Sequence, residues 1–176
     1  MSVVNPSQRQ KIVIVNTGCA NISSVRFALE RLGVEVDVSD DVNVIKSADK
    51  VFLPGVGTAA AAMASIKQKA LVETLQSLTQ PVLGVCLGMQ LMVETSAEGG
   101  FQGTGNIDCL NLMPGHVARM ESKGVRLPHM GWNTVSHNSS HNNESLFKGI
   151  PQDTYFYFVH SFAVPEYEHT LASCTY

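Results

Sequence analysis

No apolar run in these 176 residues approaches the roughly 20 residues that a membrane-spanning helix needs. The opening residues, Met1 to Lys11, lack the apolar core of a secretory leader, so a cytoplasmic chain is expected. Basic residues are few: 12 Lys and Arg against 15 Asp and Glu leave a net charge of −3, with no basic stripe to meet nucleic acid. The four cysteines, Cys19, Cys86, Cys109 and Cys174, show no CxxC spacing, which argues against a disulfide framework and a zinc site. His137 and His141 have a ligand-like spacing, but the serines and asparagines around them bring no third ligand, so neither metal nor cofactor is expected.

Residues 11–15, 34–39, 49–53 and 81–86 are short apolar runs rich in Val, Leu and Ile. Ile22, Val25, Leu29 and Leu32 share one helical face and stop at Gly33. Met63, Ile66, Ala70, Leu71, Leu75 and Leu78 form a second, longer stripe that ends before Pro81. Apolar strands separated by amphipathic helices predict an α/β fold: a mostly parallel sheet covered by helices. From about Gly103 the segments shorten and Gly and Pro punctuate them. The aromatic run 154–162 and the segment 171–176 read as antiparallel strands added to that sheet or its edge, and residues 137–145 as a polar surface loop. Trp132 is the only tryptophan; it is read as part of a Gly-Trp-Asn turn and as an interface anchor. The whole chain, 1–176, reads as one domain.

The cysteine that ends the fourth apolar run carries the chemistry. In open α/β sheets, function sits beyond the carboxyl ends of the strands. Cys86 stands there within Gly84-Val-Cys-Leu-Gly88, the thiol counterpart of the Gly-x-Ser-x-Gly elbow. A helix over 87–95 would place its N-terminal dipole behind the thiolate. The competing reading is a small buried core residue, since free cysteine is often fully buried. A second loop, Leu53-Pro-Gly-Val-Gly57, leaves the third apolar run for the long helix. Its glycines would let backbone N–H groups approach a ligand, as an oxyanion hole requires; a plain βα turn is the alternative.

These two segments resemble class I (triad) glutamine amidotransferases, whose domain is a flavodoxin-like α/β glutaminase. Leu127-Pro-His-Met-Gly-Trp-Asn133, Tyr157-Phe-Val-His-Ser161 and Asn16-Thr-Gly-Cys-Ala-Asn-Ile-Ser23 narrow the resemblance to HisH, the family of glutaminase subunits of imidazole glycerol phosphate synthase. The resemblance implies that Cys86 attacks the side-chain amide of glutamine, with the N–H groups of Gly57 and Leu87 holding the oxyanion. It implies that Gln90 and Glu98 bind the glutamine head group and that Ser161 and Phe162 contact it through their main chain. Asn21, Pro128, His129, Met130, Gly131, Trp132, Asn133 and Tyr157 would face the partner, the (β/α)8-barrel cyclase HisF, which uses the ammonia.

The family's base and acid lie in a His-Pro-Glu segment, and no His-Pro-Glu occurs in these residues. The later histidines are His160, inside the VHS motif, and His169. The sequence therefore reads as shortened relative to its family, by a cut, a shorter reading frame or natural loss, and an exposed apolar sheet face is expected. Two other functions fit part of the pattern. One is a cysteine-elbow hydrolase of the DJ-1/PfpI type, which normally has His directly after the nucleophile where Leu87 stands here. The other is a non-catalytic module that docks on the cyclase.

Overall fold

The computed structural model describes residues 10–99, 105–137, 146–165 and 167–176. They divide into two compact units, residues 1–116 and 117–176. In the first unit the four apolar runs become the strands β1 (Ile12–Val15), β2 (Val36–Ser39), β3 (Lys50–Gly55) and β4 (Val82–Cys86). All pair in parallel, in the order β2-β1-β3-β4. Every residue of the central β1 is buried, as a strand covered on both faces must be. This is the flavodoxin-like order, which reverses between β1 and β3 and opens a crevice at their carboxyl ends.

The helices are α1 (Ile22–Arg31), α2 (Val42–Lys46), α3 (Ala59–Gln68), α4 (Val72–Gln76) and α5 (Leu87–Gln90). The expected stop at Gly33 is a full Schellman end: Gly33 N–H bonds to the Glu30 carbonyl at 2.9 Å and Val34 N–H to that of Leu29 at 3.2 Å. The stripe on α1 is shallower than expected, since no residue of the helix is fully buried and Leu32 lies exposed at its end. The long second stripe is two helices, because the chain repeats the same motif without glycine. Ala70 takes φ 54°, and the N–H groups of Ala70 and Leu71 bond to the carbonyls of Lys67 and Ile66 at 3.0 Å each. Helix α2, unforeseen, is capped by Asp41, whose carboxylate accepts from Asn43 and Val44 N–H at 2.8 and 3.0 Å. Val13, Val15, Val51, Leu53, Ile66 and Leu87 are among the core residues. The small antiparallel pair β5 (Thr95–Ser96) and β6 (Ile107–Asp108) completes this unit.

The second unit is antiparallel. β8 (His129–His137) pairs with β9 (Thr154–His160) from His129↔His160 to Val135↔Thr154, and β11 (Ala172–Ser173) flanks β8 on its other edge. β7 (His116–Arg119) pairs with β10 (Phe162–Ala163). Two expectations need correction. The aromatic strand 154–162 is broken by a bend at Ser161, and Trp132 lies in mid-strand rather than in a turn. Nor do these strands extend the parallel sheet among the described residues: β11 and β9 occupy both edges of β8 and complete a sheet of their own. Of the polar loop 137–145, all but His137 lies outside the described residues, including His141.

Candidate active site

Strand β4 ends at Cys86, whose backbone swings to φ 55°, ψ −124° before α5 begins at Leu87. A non-glycine residue so placed stores about 1–3 kcal/mol of strain, which persists only where the surroundings enforce it. Here they do. Cys86 stands in register with Gly55 of β3. A Cβ added at Gly55 would lie 2.7 Å from the Gly88 nitrogen, and one at Gly88 would enter the Leu53 carbonyl. Neither Gly84 nor Gly88 takes a positive φ. The glycines of the motif therefore serve contact rather than turning: α5 lies directly on the backbones of β3 and β4, and the strain falls on the cysteine. Leu87, buried beneath, anchors the turn in the core.

The Cys86 thiol is exposed, which removes the reading of a buried core residue. Cys109 is the inert contrast: it is buried, and burial pushes its thiol up to about 11. The helix behind Cys86 is a single turn rather than the expected span 87–95. So short a helix has little macrodipole; what it offers is the N–H groups of its first turn, which have no intrahelical partner.

Gly57 follows β3 with φ 90° and open space around the position a Cβ would take. Its loop is braced from the side: Val56 N–H donates to the Cys19 carbonyl at 3.0 Å, and the Ser65 hydroxyl of α3 donates to the Thr17 carbonyl at 2.5 Å. Thr58 caps α3, accepting from Ala61 N–H at 3.3 Å, and a Cβ on Gly99 would stand 3.0 Å from Thr58. Glu98 thereby reaches the start of α3, where its carboxylate accepts from Ala59 N–H. Its pKa is nonetheless raised, because desolvation outweighs that bond. The first unit thus gathers Gly57 with Glu98 at the start of α3, and Cys86 with Leu87 and the buried Gln90 on the neighbouring elbow. Asn21 sits apart as the cap of α1, accepting from Ser24 N–H at 3.3 Å. Sequence reasoning missed Thr58, although a threonine before an alanine-rich helix is a readable cap. Ser65 and the Cys19 carbonyl gave no signal, since their partners are distant in sequence.

In the second unit, Ser161 lies at the bend before β10, its carbonyl accepting from Met120 N–H at 2.9 Å, and Phe162 pairs with Arg119. Strand alternation divides the residues expected at the partner surface. Met130, Trp132 and Tyr157 are exposed on one face, where Trp132 and Tyr157 are cross-strand partners with rings edge-on at 5.6 Å. Tyr155 and Val159, absent from the expected set, continue this face. His129 turns the other way and is 2% exposed, its ring stacked on Phe158 and Tyr176 at 4.7 and 3.8 Å. Asn133 shares that side and donates to the Thr175 carbonyl at 2.7 Å. Pro128 is exposed and Gly131 half-buried. Among the described residues no group of three or more His, Cys, Asp or Glu could hold a metal, and no helix is long and apolar enough to cross a membrane.

An exposed cysteine at positive φ, on a strand-to-helix elbow of a 2-1-3-4 parallel sheet, defines the class: a cysteine-elbow α/β protein. The sequence pattern of the family described as glutamine amidotransferase class-I matches residues 13–175. A solved structure titled as that of a glutamine amidotransferase superposes with a TM-score of 0.66 over 91% of this chain and 78% of its own, at 14% identity, a likeness of fold. Three curated relatives share the name imidazole glycerol phosphate synthase subunit HisH. That of Colwellia psychrerythraea is 57% identical over 94% of this chain and 76% of its own length. Those of Mannheimia succiniciproducens and Vibrio cholerae are 52% and 50% identical, covering 94% and 95% of this chain and 80% and 81% of their own. The chain belongs to the class-I glutamine amidotransferases, in the HisH family.

Proposed function

We propose that this chain is the glutaminase subunit of an imidazole glycerol phosphate synthase, with Cys86 as its nucleophile. The observation that carries the reading is the exposed thiol held at φ 55° by backbone-to-backbone packing of β3, β4 and α5. The Cys86 sulfur attacks the side-chain amide carbon of L-glutamine. The C–N bond breaks, the nitrogen leaves as ammonia after gaining a proton, and water then hydrolyses the glutamyl thioester to glutamate. The N–H groups of Gly57 and Leu87 receive the oxyanion, the first from a loop braced by the Cys19 carbonyl, the second from the free first turn of α5. Glu98 is suited to the α-ammonium of glutamine, which would restore the ionised state that burial disfavours. Gln90, with the main chain of Ser161 and Phe162, completes the head-group contacts by family resemblance.

The ammonia passes to a cyclase partner, the (β/α)8 barrel HisF, in a cytoplasmic heterodimer; both units then act as one amidotransferase domain, as the family match across both supports. The exposed face of Met130, Trp132 and Tyr157, with Pro128 and Asn21, is the docking surface. His129 and Asn133 support it from behind.

A thiol attacking an amide needs a base, and the leaving nitrogen an acid. No His-Pro-Glu lies in these 176 residues, and His169 is exposed beside Glu168 at 3.5 Å, without that pattern. Glutamate formation, measured with the cyclase present, tests the reading on residues 1–176 alone and on the same residues joined to a His-Pro-Glu-bearing segment of the family. The joined form should be at least about a hundredfold faster, the low end of general acid–base catalysis. Cys86→Ala should abolish turnover in both. Turnover that survives Cys86→Ala overturns the assignment of the nucleophile.

A further inference from the structure

At Ser161 the chain leaves the long ladder of β9 and enters the short strand β10. A bend outside a ladder keeps its peptide planes free to rotate unless something else holds them. Here the neighbouring ring does. His160 donates from Nδ1 to the Phe162 carbonyl at 3.0 Å, spanning Ser161, while Met120 N–H holds the Ser161 carbonyl from outside at 2.9 Å. A carbonyl only accepts, so the proton of the neutral ring sits on Nδ1. Nε2 is then the acceptor nitrogen, enclosed and without a hydrogen-bond partner among the described residues. The ring is itself clamped: its centroid lies 5.5 Å from that of His129, its register partner on β8, and 5.8 Å from that of Phe158.

We propose that His160 is a positioning residue: through Nδ1 it fixes the Ser161–Phe162 main chain in the orientation that receives glutamine. The inference rests on the reading of Ser161 and Phe162 as glutamine contacts. It also gives His160 a role other than that of a base, because one ring nitrogen is engaged and the other enclosed.

The two nitrogens can be separated by substitution. His160→Asn places an amide N–H near the position of Nδ1, whereas His160→Gln places it near Nε2. In the full chain, iodoacetamide alkylation of Cys86 is followed by peptide mass spectrometry at rising L-glutamine, and the concentration that halves the rate is read. H160N should stay close to the unsubstituted chain. H160Q should need about tenfold more glutamine, in line with the loss of one hydrogen bond. Trp132 fluorescence melts establish that each variant is folded. A merely structural role for the ring would not separate two amides of similar polarity. Equal protection in H160Q and the unsubstituted chain overturns the inference, as does a folded H160N as poorly protected as H160Q. Should H160Q not fold, lost protection in folded H160N overturns it alone. Absence of protection in the unsubstituted chain fells the underlying glutamine reading instead, and the inference with it.

Discussion

Gly88→Ala sets two effects of opposite sign against each other. Replacing glycine by alanine inside a helix ordinarily stabilises it by about 1 kcal/mol through the backbone entropy of the unfolded chain. At Gly88 the new methyl would enter the Leu53 carbonyl and stand 2.7 and 3.0 Å from the carbonyl carbons of Leu53 and Pro54. Those atoms are main chain of β3, whose neighbours are fully buried, so no side chain can yield. The helix must lift from the sheet, at the upper end of overpacking costs, about 3 kcal/mol. The net loss is then about 2 kcal/mol, or roughly 4–8 °C in Tm for a chain of this size. Far-UV circular dichroism suits the measurement, because all five helices among the described residues lie in the first unit. Lifting α5 also moves the Leu87 N–H and releases Cys86 from its turn, so selective alkylation of Cys86 should change in the same variant. Gly57→Ala is the control: its φ of 90° is unsuited to alanine, unlike the helical Gly88, but nothing crowds it, and its cost should stay near 1 kcal/mol. A Gly88→Ala chain as stable as its parent would refute the idea that close packing of glycine backbones holds the elbow.

The paired Schellman ends predict opposite outcomes: Ala70→Gly should stabilise by about 0.5 kcal/mol, left-handed strain relieved exceeding the entropy lost, while Gly33→Ala should destabilise by about 1 kcal/mol, both read from urea melts. His129 has its pKa lowered, first by burial and then by His160, and the other rings packed against it are those of Phe158 and Tyr176. The unfolded chain therefore binds the proton more readily, and the stability contributed by neutral His129 is complete above about pH 6.5 and lost as pH falls below it. Trp132 fluorescence melts of His129→Phe, which keeps the stacking, should fall less between pH 7.5 and 5.5 than those of the parent; parallel curves would reject this. Trp132→Ala should weaken binding to the cyclase subunit by about 2 kcal/mol, near thirtyfold in Kd, with unchanged titration calorimetry as the contrary result.

The parallel half was legible because its signal is local. The run at 12–15 has no polar alternation and is a strand buried on both faces. The run at 34–39 instead alternates valine with Glu, Asp and Ser and forms an edge strand with no buried residue. The observed ends of β1 to β4 lie within two residues of the four runs. The break between α3 and α4 left no such mark, because its left-handed residue is Ala70 where the usual indicator is glycine. Trp132 was misread for a related reason: Pro128 and Gly131 suggest a turn, and only the cross-strand partner Tyr157 makes that segment a strand. For the site, the glycine pattern around Cys86 was visible because close backbone approach admits no other residue. The carbonyl of Cys19, the hydroxyl of Ser65 and the ring of His160 act on main-chain groups, and a main-chain acceptor has no letter in the sequence.

Glu98 joins stability to function in a single side chain. Its carboxyl pKa is raised, chiefly by desolvation and against the opposing bond from Ala59 N–H. A carboxyl with a folded pKa above its unfolded value costs stability once pH rises through the unfolded value, about 4.3, and the cost is complete above the folded one. Glu98→Gln removes that ionisation while keeping the shape and an acceptor for Ala59 N–H. The variant should accordingly be more stable than its parent at pH 7, and the gain should shrink towards nothing near pH 4, where Glu98 is mostly protonated in both states. Glutamine should protect Cys86 of the same variant poorly, since the α-ammonium has lost its counter-charge. Melts at pH 4 and 7, run beside the protection assay, read both effects. A gain that persists undiminished at pH 4 would trace to packing instead of charge. Protection equal to that of the parent would remove Glu98 from the glutamine site. Stability gained and binding lost in one substitution is what a partly buried charge kept for its ligand predicts.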